Sequence, residues 1–281
     1  MDNNMSIKQY FNFEHQGCLD IKKGSKKIYP RVLVISHNVF STTYSMGKTL
    51  SGFFKDWNKK NIAQLYIHNE IPDSHICENY YCITDVEMLK VFKNKNRLGA
   101  IFKKKDIKEG IIDTRNDSGV IGDIYQFSRR RSPYIYIGRN LIWGLNRWKS
   151  KKLLEWLDKF EPDVIFFAGG DYSFIYKIAL FISEYKNVPI ISYICDDYYF
   201  SDMKSYSPLY HFVRNEYKRT FNNFMAKTEN IIYICDLINE RYSTYFNTKG
   251  ITLMTSSTFK SQSNNKKIIS ALHISYIGNL A

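Results

Sequence analysis

The chain has 281 residues, 44% of them hydrophobic, with 22 tyrosines and 19 phenylalanines. That content argues against a disordered chain and suffices for one large domain or two modest ones. The net charge is +13, no apolar run nears the roughly 18 residues needed to cross a bilayer, and the N-terminus lacks the basic-then-apolar pattern of a secretory signal; a soluble or membrane-peripheral chain in the cytoplasm is expected.

Residues 1–29 read as a poorly anchored polar extension. "RVLVISHN" then follows a proline as a compact β-branched run, suited to a buried parallel strand. Leu50, Phe53, Phe54 and Trp57 recur at helical spacing, with Ser45 as a candidate cap. Residues 62–69 and "YYCIT" at 80–84 read as strands, and Asp85 as the cap of a short helix, "VEMLKVF". After a basic middle segment, Leu153, Trp156, Leu157 and Phe160 define a helix face that ends at Pro162. "DVIFFAGG" is a strand with a glycine turn, and Phe174, Ile178, Phe181, Ile182 and Tyr185 mark the next helix. "VPIISYI" leads into "CDDYYF". "SPLYHFVRNEYKRTFNNFMAK" opens on a Ser cap with Pro just inside the helix. A strand "NIIYIC", a helix near 237–246 and a strand "ITLM" follow.

Strands alternating with helices of this length predict an α/β fold: a Rossmann-like, mostly parallel sheet flanked by helices. Ligands of such sheets lie beyond the carboxyl ends of the strands. Residues 36–48, 169–171 and 195–200 are therefore expected on one rim. The first loop holds "GKT", the ending of a phosphate-binding P-loop. That motif needs a glycine five residues ahead of its "GK", and here the position is Thr42, followed by "TYSM". A triphosphate cradle is not expected. A weaker site remains, in which amides near Met46, Gly47 and Lys48 meet one phosphate or carboxylate with the helix dipole behind them. Alternatively, Gly47 only permits close helix packing while Lys48 faces water.

Charge is unevenly distributed: residues 90–139 hold 13 Lys/Arg against 5 Asp/Glu. Such a segment either attracts polyanions (nucleic acid, anionic lipid, a phosphorylated substrate) or forms a solvated loop. The five cysteines Cys18, Cys77, Cys82, Cys195 and Cys235 are scattered, an odd number that argues against a disulfide framework. No metal-ligand constellation is visible.

"RVLVISH", "MGKTLSGFF", "EPDVIFFAGG", "VPIISYICDDYYF" and "NIIYICDLINERYSTYF", in this order and spacing, resemble the N-terminal, acceptor-side domain of bacterial glycosyltransferases of the GT-B fold, family-4-like enzymes of polysaccharide and cell-envelope synthesis. The resemblance covers residues 30–260, into which 90–139 are a basic insertion. It implies a hexosyltransferase-type enzyme with a nucleotide-sugar donor as substrate, no further cofactor or metal, and a glycan or lipid-phosphate acceptor. In such enzymes a second Rossmann-like domain holds the donor. Residues 261–272 then read as the linker and "HISYIGNLA", 273–281, as that domain's first strand, so the 281-residue chain alone is expected to turn over little sugar nucleotide.

Many members carry His followed by Asp where this chain has "CDD". The candidate catalytic pair is accordingly Asp196 and Asp197, one orienting or deprotonating the acceptor hydroxyl and the other holding sugar hydroxyls. The alternative is that Asp196 caps a turn and Asp197 faces water. Tyr198 supplies an aromatic face for a pyranose ring, and His37 stands at the same rim as a candidate donor to sugar or phosphate. Asp171 either joins them or caps the next helix. An anionic membrane is a further candidate partner. Nucleic acid is the competing partner for the basic segment, and a non-catalytic scaffold the competing role for the whole chain, but no nucleic-acid module is recognisable.

Overall fold

The computed structural model describes residues 29–43, 45–90, 98–103, 133–202 and 205–254. The chain begins with β1 (Val32–Ser36), α1 (Ser45–Phe53), β2 (Ile62–Tyr66), β3 (Asn79–Cys82), α2 (Asp85–Lys90) and β4 (Ala100–Lys103). It continues through α3 (Pro133–Gly144), α4 (Lys151–Phe160), β5 (Val164–Ala168), α5 (Ser173–Lys186) and β6 (Ile190–Ile194). It closes with α6 (Pro208–Ala226), β7 (Asn230–Tyr233), α7 (Asp236–Phe246) and β8 (Gly250–Thr252). The expected extension at 1–28, most of the basic insertion (91–97 and 104–132), the linker at 261–272 and the strand at 273–281 lie outside the described residues.

The strands form one eight-stranded sheet in the order β4-β3-β2-β1-β5-β6-β7-β8. Every pairing is parallel except β3 with β4. The chain is thus an α/β protein with the Rossmann-like sheet that the strand and helix rhythm predicts. Alternation along the strands divides the core in two. Leu33, Ile35, Leu65, Ile165 and Phe167 face one cluster, which α3 to α7 cover. Val32, Val34, Ile62, Val164, Phe166 and Tyr193 face the other, against Leu50 and Phe54 of α1 and Trp57 just after it.

Local chemistry sets the helix starts. Ser150 and Ser207 cap α4 and α6 by accepting from the amides of Leu153 and Tyr210, and Pro208 takes the first turn of α6. At α2 the cap is Thr84 rather than Asp85. Thr84 Oγ1 accepts from the Glu87 amide at 3.2 Å while the Glu87 carboxylate accepts from the Thr84 amide at 2.9 Å, a reciprocal capping box. Asp85, thereby released, faces α3. Ser45 is likewise the first helical residue of α1 rather than its cap, a position that falls on residue 44, outside the described residues. Asn187 and Asn247 end α5 and α7 in the left-handed conformation.

Two elements, β4 and α3, arise within the segment that reads only as basic. α3 is fastened by polar bonds that its sequence does not advertise. Buried Arg139 forms an ion pair with Asp85 at 3.0 Å, and Trp143 Nε1 donates to the same carboxylate at 2.8 Å. The guanidinium lies 3.9 Å from the Tyr172 ring centre, and the Trp143 and Phe174 rings stack at 4.4 Å. Glu216 of α6 draws the helices together: it accepts from Asn140 of α3 at 3.1 Å, from Lys177 of α5 at 2.7 Å, and from the Ser173 hydroxyl. Beneath them Tyr176, Tyr217, Phe221, Tyr199 and Tyr242 form a run of tilted and edge-on rings. Among the described residues, no helix is long and apolar enough to cross a membrane.

Removing one partner of a desolvated ion pair strands the other charge. Arg139→Met is expected to lower stability by about 3 kcal/mol, measured by urea unfolding.

Candidate functional site

The strand order reverses between β1 and β5, which are paired in parallel with Ser36 opposite Ala168. The connection from β1 runs through α1 on one face and that from β5 through α5 on the other. The two loops therefore diverge and leave a crevice at the carboxyl edge. Because β6 is also parallel to β5, the loops beginning at His37, Gly169 and Cys195 share this rim, as the sequence pattern requires.

His37 sits in the crevice. Both of its ring nitrogens are buried and without a hydrogen-bond partner. A Cβ added to Gly170 would lie 3.2 Å from the ring, so the absence of a side chain there lets the imidazole settle against the loop. Its other neighbours are the rings of His68 at 5.5 Å, Tyr172 at 5.7 Å and Phe174 at 6.1 Å. Burial, together with the charges of His68 and Arg139, pushes the His37 pKa well below its ordinary value. Neutral imidazole is the resident form.

The "GKT" loop is filled from within. The Asp73 carboxylate accepts from the Thr42 amide at 2.7 Å, from the Thr42 hydroxyl at 3.0 Å, and from Ser41 and Thr43 hydroxyls, each at 3.2 Å. Burial alone would raise its pKa, yet these bonds prevail and hold it below the ordinary aspartate value. A protein carboxylate thus sits where the weaker phosphate site was sought. Gly47 is buried, and a Cβ there would come 2.3 Å from the Val39 carbonyl oxygen, so its role is close packing of α1 on the loop. Met46 packs against the second core cluster and Lys48 is exposed.

A cavity of about 150 Å³ opens instead between the Gly169–Gly170–Asp171 turn, the turn after β6, α3 and α6. Its walls include Tyr136, Tyr198, Tyr210, Tyr217, Asp171 and Arg214. Asp171 caps nothing: Tyr172 holds the N-cap position of α5 and makes no side-chain capping bond. One Asp171 oxygen accepts from the Tyr136 hydroxyl, and the other has no partner among the described residues. Tyr198 donates to Asp196 at 2.7 Å, which places Asp196 one side chain behind the wall. Burial, then the adjacent carboxylate, raises the Tyr198 pKa, so the phenol stays protonated at neutral pH. Arg214 is held by Asp202 and the Tyr199 carbonyl through Nε and Nη2, leaving Nη1 unused. Lys218 joins the same Asp202 at 2.6 Å.

Asp197 points elsewhere. Its carboxylate accepts from Tyr242 at 3.0 Å, from the Phe200 amide at 3.3 Å, and pairs with Arg241 at 2.6 Å. It ties the turn after β6 to α7. The structure therefore gathers Asp171, Tyr198 and, at one remove, Asp196. His37 lies nearer the sheet, Asp197 belongs to the α7 contact, and Met46, Gly47 and Lys48 belong to α1. Tyr136, Tyr210, Tyr217 and Arg214 were not expected from the sequence. The one signal for them was the spacing of residues 210, 213, 214 and 217 along α6, which reads as an ordinary buried stripe. The described residues contain no cluster of side chains able to hold a metal ion. No protein-family model matches the chain and no curated protein is similar to it.

Below its unfolded pKa of about 6.5, a histidine binds a proton in the unfolded chain that the folded site rejects. The His37 contribution to stability is thus complete above that pH and is lost as pH falls. His37→Phe is expected to flatten the acid limb of stability by up to ~1.4 kcal/mol per pH unit, measured by chemical unfolding at a series of pH values.

Proposed function

We propose that this sheet and its rim cavity are the acceptor-binding unit of a GT-B-type sugar transferase. The observation that carries the reading is the cavity itself: four tyrosine walls, an open carboxylate oxygen and an unused guanidinium nitrogen beside the switch point of a parallel sheet. Aromatic walls suit the C–H faces of a pyranose ring, while the polar groups fix its hydroxyls.

In this reading an acceptor hydroxyl donates to the free oxygen of Asp171. Tyr136, bonded to the other oxygen, fixes the carboxylate plane. The carboxylate orients the hydroxyl and accepts its proton as the new glycosidic bond forms. Tyr198 spends its own proton on Asp196, so its oxygen is left to accept from a second sugar hydroxyl. Arg214 Nη1 donates to a ring or hydroxyl oxygen, steadied by Asp202. Asp196 acts as a positioning residue through Tyr198. The chemistry of the donor, a nucleotide sugar losing its diphosphate, falls to the second Rossmann-like unit that the GT-B resemblance implies.

The test is saturation-transfer NMR of the full chain with methyl hexopyranosides and hexose disaccharides. Ring-proton signals are expected for the unaltered protein. Asp171→Asn should weaken binding about tenfold or more, the scale of one lost charged hydrogen bond, and Tyr198→Phe by less. Absence of any saccharide signal from the unaltered protein would remove the reading.

A further inference from the structure

Large apolar side chains stand in water on the outer side of α3. Tyr134 is 77% exposed, Leu141 67%, and Leu145, one residue past the helix, 54%. Residues separated by seven and eleven fall on one line of a helix, opposite the buried Ile135, Arg139 and Trp143. α6 runs beside α3 in the same direction: Pro133 and Tyr136 share the cavity with Tyr210 and Val213, and one turn on Asn140 meets Glu216. The outer side of its first turns adds Phe212, 64% exposed, and just ahead of the helix Tyr206 is fully exposed. Five large apolar groups therefore cluster on two neighbouring helices around the cavity.

The charge of the same stretch of sequence points to what covers them. Residues 124–154 contain eight Lys/Arg and not one Asp or Glu. Cations precede α3 at 129–131 and follow it at Arg147, Lys149, Lys151 and Lys152. On α6 the only carboxylate, Glu216, turns inward to Ser173, Asn140 and Lys177. A helix with one apolar line, tyrosine at its end and cations at both flanks matches the boundary between lipid headgroups and acyl chains. A protein partner would need roughly 800 Å² on each side, more than one narrow line of side chains supplies.

We infer that the outer faces of α3 and the start of α6 dock on an anionic lipid bilayer, with the cavity mouth held at the headgroup level. Leu141, Leu145 and Phe212 enter the acyl boundary, Tyr134 and Tyr206 sit among the headgroups, and the flanking cations meet lipid phosphates. This surface does not depend on the saccharide reading, and its test is separate.

The experiment is flotation of the full chain with vesicles of phosphatidylcholine alone, or of phosphatidylcholine with phosphatidylglycerol, at low and high salt. The chain is expected to float with the anionic vesicles and to be released by salt. Leu141→Ser combined with Phe212→Ser changes no charge and should weaken vesicle binding about tenfold, with an unchanged melting midpoint. Leu145→Ser, a milder change, should weaken it less. Leu237→Ser, at an equally exposed site on α7, should leave it unaltered. Equal binding to neutral vesicles, unaltered binding by the double variant, or an equal loss from Leu237→Ser would overturn the proposal. So would a dimer in sedimentation that the double variant dissolves, since a second copy would then be the occupant. Saccharide signals retained by the double variant separate this result from that of the cavity.

Discussion

Two parallel neighbours, β1 and β5, send their chains to opposite faces of the sheet, and the rest of the molecule is arranged around that divergence. Parallel strands joined by right-handed crossovers cannot place both following helices on the same side when the strand order reverses. The carboxyl ends of the two strands are therefore left with no helix directly between them. His37 and the Gly169–Gly170 turn fill the floor of this gap, while α3 and α6 close over its side. The cavity is a by-product of connectivity that the side chains then furnish.

The furnishing is mostly polar and is held from outside. Arg139, Asp85 and Trp143 fix α3 to the loop after β3, and Glu216 binds α3, α5 and α6 into one support. Each cavity group is braced through one of these contacts: Tyr136 rides on α3, Arg214 on α6, and Asp171 on the start of α5. Their separations are set by packed helices rather than by the loops alone, which limits the rearrangement needed when a ligand enters.

The sheet was legible because burial on both faces demands uninterrupted β-branched and aromatic runs, and "VLVIS", "VIFFA" and "IISYI" have no other easy use. α4, with Leu153, Trp156, Leu157 and Phe160 on one side, was equally plain. α3 was not, because its inward positions include Arg139 and its outward ones Leu141, reversing the usual pattern of apolar in and polar out. Rim loops could be located, but not the direction of each side chain. Asp196 and Asp197 look alike in "CDDYYF", yet one meets Tyr198 and the other is claimed by Arg241 and Tyr242 across forty-odd residues. The "GKT" loop misled for a similar reason, since its anion, Asp73, arrives from beyond β2.

The stacked phenols beneath the cavity set an upper limit of pH for this fold. Burial raises the pKa of Tyr176, Tyr217 and Tyr242 above the ordinary phenol value. An unfolded chain would surrender these protons near pH 10, whereas the folded one retains them. Their stabilising contribution is whole below that point and drains away above it. In strong base, phenolate absorption from these rings should emerge together with the collapse of the sheet rather than before it, so an ultraviolet titration would read the integrity of the helical layer directly.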